Sequence, residues 1–125
     1  MNILLIGYEG YVGTGLYKNL KISHNVIGIG RKDDILNITE DLLEKNSIDV
    51  IINCATVMDR ISPFFDIESL TYRVNIEGVK HVANLIKNTD IKLIYISTKD
   101  VYGNVFSKKD VIVRDKFYEL PYFIS

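Results

Sequence analysis

Three glycines spaced three residues apart constrain this chain more than any other feature of its sequence. Gly7, Gly10 and Gly13 directly follow a short apolar run and lead into a segment of helical character. A chain needs glycine at such positions if it turns sharply from strand to helix and brings bare backbone against a phosphate. The turn, with Tyr11 and Val12, is therefore predicted to bind the pyrophosphate of a dinucleotide at a helix N-terminus. The alternative, glycines that only shape a turn, is disfavoured by their position between a first strand and a first helix.

Apolar runs alternate with helical segments along the rest of the 125 residues. Strands are predicted over residues 3–6, 25–29, 48–53 and 91–96, with a short helix over 39–45 and a long helix over 63–88 that starts at Ser62-Pro63. This alternation predicts an α/β fold, a Rossmann-type parallel sheet with helices on both faces. Right-handed crossovers predict about four to five strands in the order 3-2-1-4. We interpret residues 1–125 as one NAD(P)-binding domain.

Ligands of such a sheet bind beyond the carboxyl ends of its strands. The third and fourth predicted strands end in polar and small residues, which are Asn53, Cys54, Ala55, Thr56 and Ser97. Because the carboxyl ends of parallel strands share one edge, these residues are predicted to line the dinucleotide site together with the glycine turn.

Two cations, Arg31 and Lys32, follow the second predicted strand. An acidic residue usually binds the ribose diol of NAD at this place, whereas cations suit a 2′-phosphate. The predicted cofactor is therefore NAD(P), leaning towards NADP. A solvated pair of loop charges is an equally supported alternative.

The composition narrows the possible partners. The 15 basic and 16 acidic residues nearly balance and form no block of one sign, which argues against a nucleic-acid surface or a polybasic membrane patch. No apolar run approaches the roughly 20 residues that span a bilayer, and no basic leader precedes the first strand, so we expect a cytoplasmic protein. One cysteine and two histidines, His24 and His81, predict no internal disulfide and no metal site.

Four motifs in order resemble the extended short-chain dehydrogenase/reductases, especially the NAD-dependent nucleotide-sugar epimerases and dehydratases and the dTDP-4-dehydrorhamnose reductase branch. The motifs are the glycine triplet, Asn53-Cys54-Ala55, Val74-Asn75 with Gly78, and Ile96-Ser97-Thr98 followed by Val101-Tyr102-Gly103. The resemblance implies an oxidoreductase or isomerase that transfers a hydride at a sugar carbon of a nucleotide-sugar substrate. It also implies that Asn37 and Ile38 lie against the adenine.

The resemblance further implies catalytic roles for Thr98, with Ser97 as the weaker candidate, and for Tyr122, which follows Thr98 by 24 residues. The family's lysine, which lowers the pKa of the tyrosine, would fall one residue beyond Ser125. We therefore expect an amino-terminal fragment that lacks the substrate lobe and does not turn over substrate, so whether the chain is itself an enzyme stays open. The alternative function is a non-catalytic NADP-binding regulator or scaffold.

The predicted long helix has apolar residues on more than one face. Two adjacent strips are formed by Ile67, Leu70, Val74, Val82, Leu85 and Ile86, and by Tyr72, Ile76, Val79 and Ala83. One strip would cover the sheet. The other is available for a partner subunit or for a part of the protein outside this chain, and the family resemblance implies a homodimer.

Overall fold

The computed structural model describes residues 1–57 and 69–97. In these residues, parallel strands form a sheet from β1 (Asn2–Ile6), β2 (Asn25–Ile29), β3 (Val50–Asn53) and β4 (Lys92–Tyr95). The helical elements are α1 (Tyr11–Leu20), a 3-10 turn (Ile35–Asn37), α2 (Glu40–Lys45), α3 (Leu70–Tyr72), a π-helical turn (Arg73–Glu77) and α4 (Gly78–Ile86). The predicted α/β class with a parallel sheet is confirmed.

The order of the strands differs from the predicted 3-2-1-4. The observed order is β2-β1-β3-β4, with Ile3 of β1 opposite Val50 of β3. All residues of β3 are buried, which requires a neighbouring strand on each side, whereas β2 is buried only at Ile29 and suits an outer position. The reversal of strand order therefore lies between β1 and β3. It places the carboxyl ends of these two strands side by side.

Local capping explains how the connection from β2 to β3 is built. The side chain of Asp34 accepts a hydrogen bond from the Leu36 N–H at 2.9 Å and begins the 3-10 turn. The Thr39 hydroxyl accepts a hydrogen bond from the Leu42 N–H at 3.2 Å and begins α2. The acidic residues in the first turn of α2 interact favourably with the positive end of the helix dipole. Each cap satisfies a backbone donor that the element itself leaves free.

The core lies on both faces of the sheet because successive strand residues point to opposite sides. One face carries Leu4, Ile6, Ile29, Ile51, and, from the elements that cover them, Ile35, Ile38, Leu43, Ile48, Val82 and Ile86. The opposite face carries Ile3, Leu5, Val50 and Ile52, covered by Leu16, Tyr17 and Leu20 of α1. Each fully buried aliphatic side chain contributes roughly 1.5–3 kcal/mol by leaving water.

The helix before β4 is regular at its ends and π-helical in its centre. Its predicted start at Ser62-Pro63 lies outside the described residues. The buried strip contains Thr71, Asn75, Gly78, Val82 and Ile86, so the prediction of two continuous apolar strips is corrected; Leu70 is 64% exposed. The π-helical turn adds a residue to one turn and thereby changes which residues face the sheet. Within residues 1–57 and 69–97, no helix is long and apolar enough to cross a membrane.

Candidate functional site

The glycine turn between β1 and α1 is closely packed at its two ends. Gly7 adopts a left-handed φ of 81°, and a Cβ at this residue would lie 2.7 Å from the backbone nitrogen of Ala55. A Cβ on Gly13 would overlap the carbonyl oxygen of Gly7. The fold itself therefore requires glycine at both ends of the turn, because the turn lies against the segment after β3 and α1 lies against the turn.

The central glycine, Gly10, is not closely packed. A Cβ on Gly10 would approach only the carbonyl oxygen of Gly7, at 3.3 Å, and its φ of −75° and ψ of 174° suit any residue. Gly10 is exposed and is the N-cap of α1, with no side-chain cap. The N–H groups of Tyr11, Val12 and Gly13 that follow it have no acceptor within the helix. The open space and free donors suit an anion, and a pyrophosphate is the anion that we expect at this turn.

The end of β3 lies beside this turn. The buried Asn53 side chain accepts a hydrogen bond from the Ala55 N–H at 3.0 Å, and the Cys54 N–H donates to the Ile6 carbonyl at 2.9 Å. Burial raises the pKa of the half-buried Cys54 thiol, so the thiol is a poor nucleophile at neutral pH and packs as a small apolar residue. Thr56 is exposed at the same edge.

Asn75 connects the segment after β3 to the helix. Its Oδ1 accepts from the Val57 N–H at 2.8 Å, and its Nδ2 donates to the Val57 carbonyl at 2.9 Å. The amide is 2% exposed, so the buried polar group finds the partner that burial demands. Ser97 is exposed after β4. The predicted catalytic residues Thr98 and Tyr122 lie outside the described residues.

The loop after β2 carries the two predicted cations next to carboxylates. Arg31 and Lys32 are exposed. The Oε2 atom of Glu9, which belongs to the glycine turn, accepts a hydrogen bond from the Arg31 N–H at 3.1 Å. The Oδ2 atom of Asp33 accepts from the Gly30 N–H at 3.2 Å. The sequence indicated the cations but not that an acidic side chain from the first turn would reach the backbone of this loop.

The same loop is attached to the helix by Arg73 and His81. The Arg73 guanidinium forms an ion pair with Asp34, and its hydrogen bond lowers the pKa of that carboxyl. The Nε2 atom of His81 lies 2.7 Å from the carbonyl oxygen of Ile38. The Ile38 side chain is 2% exposed in the core, so only its backbone could contact an adenine, whereas Asn37 is exposed.

The structure thus brings the glycine turn, the residues after β3 and the loop after β2 to one edge of the sheet. The opposite edge has a cavity of about 350 Å³ near Met1, Asp49 and Lys92. We place the candidate site at the carboxyl edge, because the free N–H donors at the start of α1 and the loosely packed Gly10 meet there. The cavity at the opposite edge has neither feature. Glu9 is the residue that sequence reasoning missed. Its only sequence signal is an acidic residue inside the glycine triplet.

Comparison with known proteins gives a family and several relatives. Residues 1–116 match the model of the RmlD substrate binding domain family. The chain is 29% identical to the N-acetyl-alpha-D-glucosaminyl-diphospho-ditrans,octacis-undecaprenol 4-epimerase of Escherichia coli O157:H7, over 82% of this chain and 34% of the relative.

Two solved structures are similar to this chain. A hypothetical dTDP-4-dehydrorhamnose reductase from Sulfolobus tokodaii is 27% identical with a TM-score of 0.72, over 89% of this chain and 45% of that one. The dTDP-4-dehydrorhamnose reductase of Bacillus anthracis, solved with NADP, is 26% identical with a TM-score of 0.68, over 81% and 37%. The chain therefore spans less than half the length of each of these relatives.

Proposed function

The chain belongs to the RmlD substrate binding domain family, which confirms the resemblance carried by its motifs, and from this membership we propose that it is the NAD(P)-binding portion of a nucleotide-sugar epimerase or reductase. The relatives support this reaction class, since one is named as a 4-epimerase and two as dTDP-4-dehydrorhamnose reductases. When bound, the nicotinamide supplies a hydride acceptor or donor for a sugar carbon.

The observation that carries the proposal is the open, exposed Gly10. Packing explains glycine at both ends of the turn but leaves the central glycine without a reason inside the fold. A dinucleotide supplies the reason, because its pyrophosphate needs the space beside Gly10 and the N–H donors of Tyr11, Val12 and Gly13. These backbone groups bind and orient the phosphates, while Asn53 and Asn75 fix the neighbouring edge through the hydrogen bonds described above.

The choice between NAD and NADP depends on the loop after β2. Arg31 and Lys32 favour a 2′-phosphate, and the Bacillus anthracis relative was solved with NADP. The carboxylates of Glu9 and Asp33 accept hydrogen bonds from the backbone of the same loop, and their negative charges disfavour a 2′-phosphate. The two cations therefore do not decide the preference by themselves.

The test compares two glycines near the start of α1. A Cβ on Gly10 fills the proposed phosphate space, whereas a Cβ on Gly15 meets nothing within 4 Å. Isothermal titration with NADH and NADPH should show that Gly10→Ala weakens binding at least about tenfold, since charge-assisted hydrogen bonds are lost. Its unfolding free energy should change by no more than about 1 kcal/mol. Gly15→Ala should bind like the parent; failure of the folded parent to bind either dinucleotide would refute the proposal.

Catalysis and assembly are tested separately. We propose that, in a longer form of the protein that has the substrate lobe, Tyr122 moves the proton at the sugar oxygen and Thr98 holds that oxygen. In that form, Tyr122→Phe should remove turnover of a nucleotide sugar without weakening dinucleotide binding. Binding with no turnover in any form of the protein would support the regulatory alternative.

A homodimer through the helix before β4 is proposed on family grounds. Sedimentation of the parent and of Leu70→Glu tests it, because Leu70 is exposed.

A further inference from the structure

The proposed dinucleotide site has a carboxylate at the end of β2, and this carboxylate comes from a different part of the chain. We propose that Glu9 binds the hydroxyls of the adenosine ribose and makes the site select NAD(H) over NADP(H). The inference rests on the proposed function, because it names which dinucleotide the same site takes.

The position of the Glu9 carboxylate is the first observation. Gly30 is the first residue after β2, and a Cβ at Gly30 would lie 2.5 Å from the Oε2 atom of Glu9. That oxygen also accepts the Arg31 N–H at 3.1 Å. In dinucleotide-binding sheets, the acidic residue that accepts the ribose hydroxyls lies at this end of the second strand. Glu9 therefore supplies, from the first turn, a carboxylate at the place directly after β2, where the sequence itself has Gly30, Arg31 and Lys32.

The surroundings of Glu9 hold it there. The neighbouring Tyr8 ring lies so close to Gly28 that a Cβ there would be 2.5 Å from it, and the Arg31 N–H donates to the Glu9 carboxylate at 3.1 Å. The nearby charge of Glu9 is the main cause that raises the pKa of the Tyr8 phenol. A carboxylate has about four lone-pair sites, so the Arg31 N–H leaves capacity for ribose hydroxyls.

The charges near the loop favour a ribose without a 2′-phosphate. Such a phosphate carries up to about two negative charges and would meet the carboxylate of Glu9 first. Asp33, bonded to the Gly30 N–H, adds a second negative charge. Arg31 and Lys32 are exposed, and neither belongs to an ion pair among the residues that the structure describes. Glu9 is exposed as well, but its carboxylate accepts the Arg31 N–H and is thereby fixed beside the loop. Its repulsion of a phosphate should therefore outweigh the attraction by two exposed side chains that no ion pair holds in place.

The experiment measures the ratio of two affinities. The dissociation constants of NAD⁺ and NADP⁺, and of the fragments 5′-AMP and adenosine 2′,5′-bisphosphate, are measured by titration calorimetry for the parent, Glu9→Gln and Glu44→Gln. Glutamine keeps an oxygen for the Arg31 N–H but removes the charge. Glu44 is an exposed residue of α2 and is the matched control for loss of one charge.

We expect the parent to bind NAD⁺ at least about tenfold more tightly than NADP⁺. With NAD⁺ the ribose donates a charge-assisted hydrogen bond to Glu9, whereas with NADP⁺ the 2′-phosphate is repelled by the same carboxylate. Glu9→Gln should weaken NAD⁺, strengthen NADP⁺ and shift their ratio by about tenfold or more. The fragments should follow the same ratio, and Glu44→Gln should leave it unchanged. A merely structural role of Glu9 would weaken both ligands alike.

Two results would overturn the inference while the proposed function stands. One is a parent that binds NADP⁺ more tightly than NAD⁺, and the other is a ratio that Glu9→Gln does not change. Absence of binding of either dinucleotide to the folded parent would instead overturn the proposed function.

Discussion

Removal of the Asn75 side chain should destabilise the fold more than any surface substitution of the same helix. Asn75 lies in the π-helical turn, is 2% exposed, and exchanges two hydrogen bonds with the backbone of Val57. Val57 belongs to the segment that follows β3, and Ala55 of the same segment lies against Gly7 of the glycine turn. Asn75→Ala removes both bonds at once and leaves the Val57 N–H and carbonyl without these partners.

The magnitude follows from the two bonds. Each hydrogen bond contributes about 0.5–1.5 kcal/mol net, and each partly buried group left without a partner costs about 1–3 kcal/mol. Because Val57 is only half-buried, water replaces part of the loss. We expect Asn75→Ala to lower the free energy of unfolding by about 2–4 kcal/mol, a large part of the roughly 5–15 kcal/mol of a typical domain.

Urea denaturation followed by circular dichroism measures this change. Asn84→Ala is the matched control, because Asn84 is exposed on α4 and its substitution should change stability by no more than about 0.5 kcal/mol. Asn75→Asp gives a further check. Its carboxylate would face the Val57 carbonyl, whereas the protonated acid can donate to it, so the variant should recover stability relative to the parent as pH falls. A loss below about 0.5 kcal/mol for Asn75→Ala would refute the reasoning.

Two other predictions come from shifted pKa values. The lowered pKa of Asp34 means that its pairing with Arg73 stabilises the fold above the ordinary carboxyl pKa of 3.8 and is lost as pH falls through the lower folded value. Arg73→Met should therefore cost about 0.5–1 kcal/mol at pH 7, a value reduced by the exposure of both groups, and its cost should vanish in acid unfolding curves. The raised pKa of Cys54 predicts that iodoacetamide alkylates the native chain at pH 7.5 at least about tenfold more slowly than the urea-unfolded chain; equal rates would contradict it.

The strands were predictable from the sequence because they depend on local patterns. The prediction for residues 25–29 coincides with β2, and those for β3 and β4 differ by no more than two residues at either end. The predicted turn from strand to helix is also present, and close packing leaves no room for a side chain at Gly7 and Gly13. Short-range spacing was sufficient for these features.

The order of the strands and the position of Glu9 were not predictable in the same way. Strand order depends on which strand is buried on both sides, and a sequence run such as that of β3 is compatible with several neighbours. Glu9 meets Arg31 across 22 residues of sequence. That contact exists only because Gly30 lacks a side chain at the point where the carboxylate arrives. The absence of a side chain at Gly30 therefore makes room for the carboxylate to which we assign the cofactor preference.

The unexpected face of the helix before β4 has a positional explanation. Its contacts with the loop after β2 are the pairs Arg73–Asp34, Gly78–Ile35 and His81–Ile38. The Asn75 contact joins the same helix to the segment after β3. A helix that only covered a core would present apolar side chains there. Polar and small residues are needed instead, because this face fixes the backbone of two segments that border the proposed site. The π-helical turn brings Asn75 to the buried side of the helix, so that one helix holds both the loop after β2 and the segment after β3.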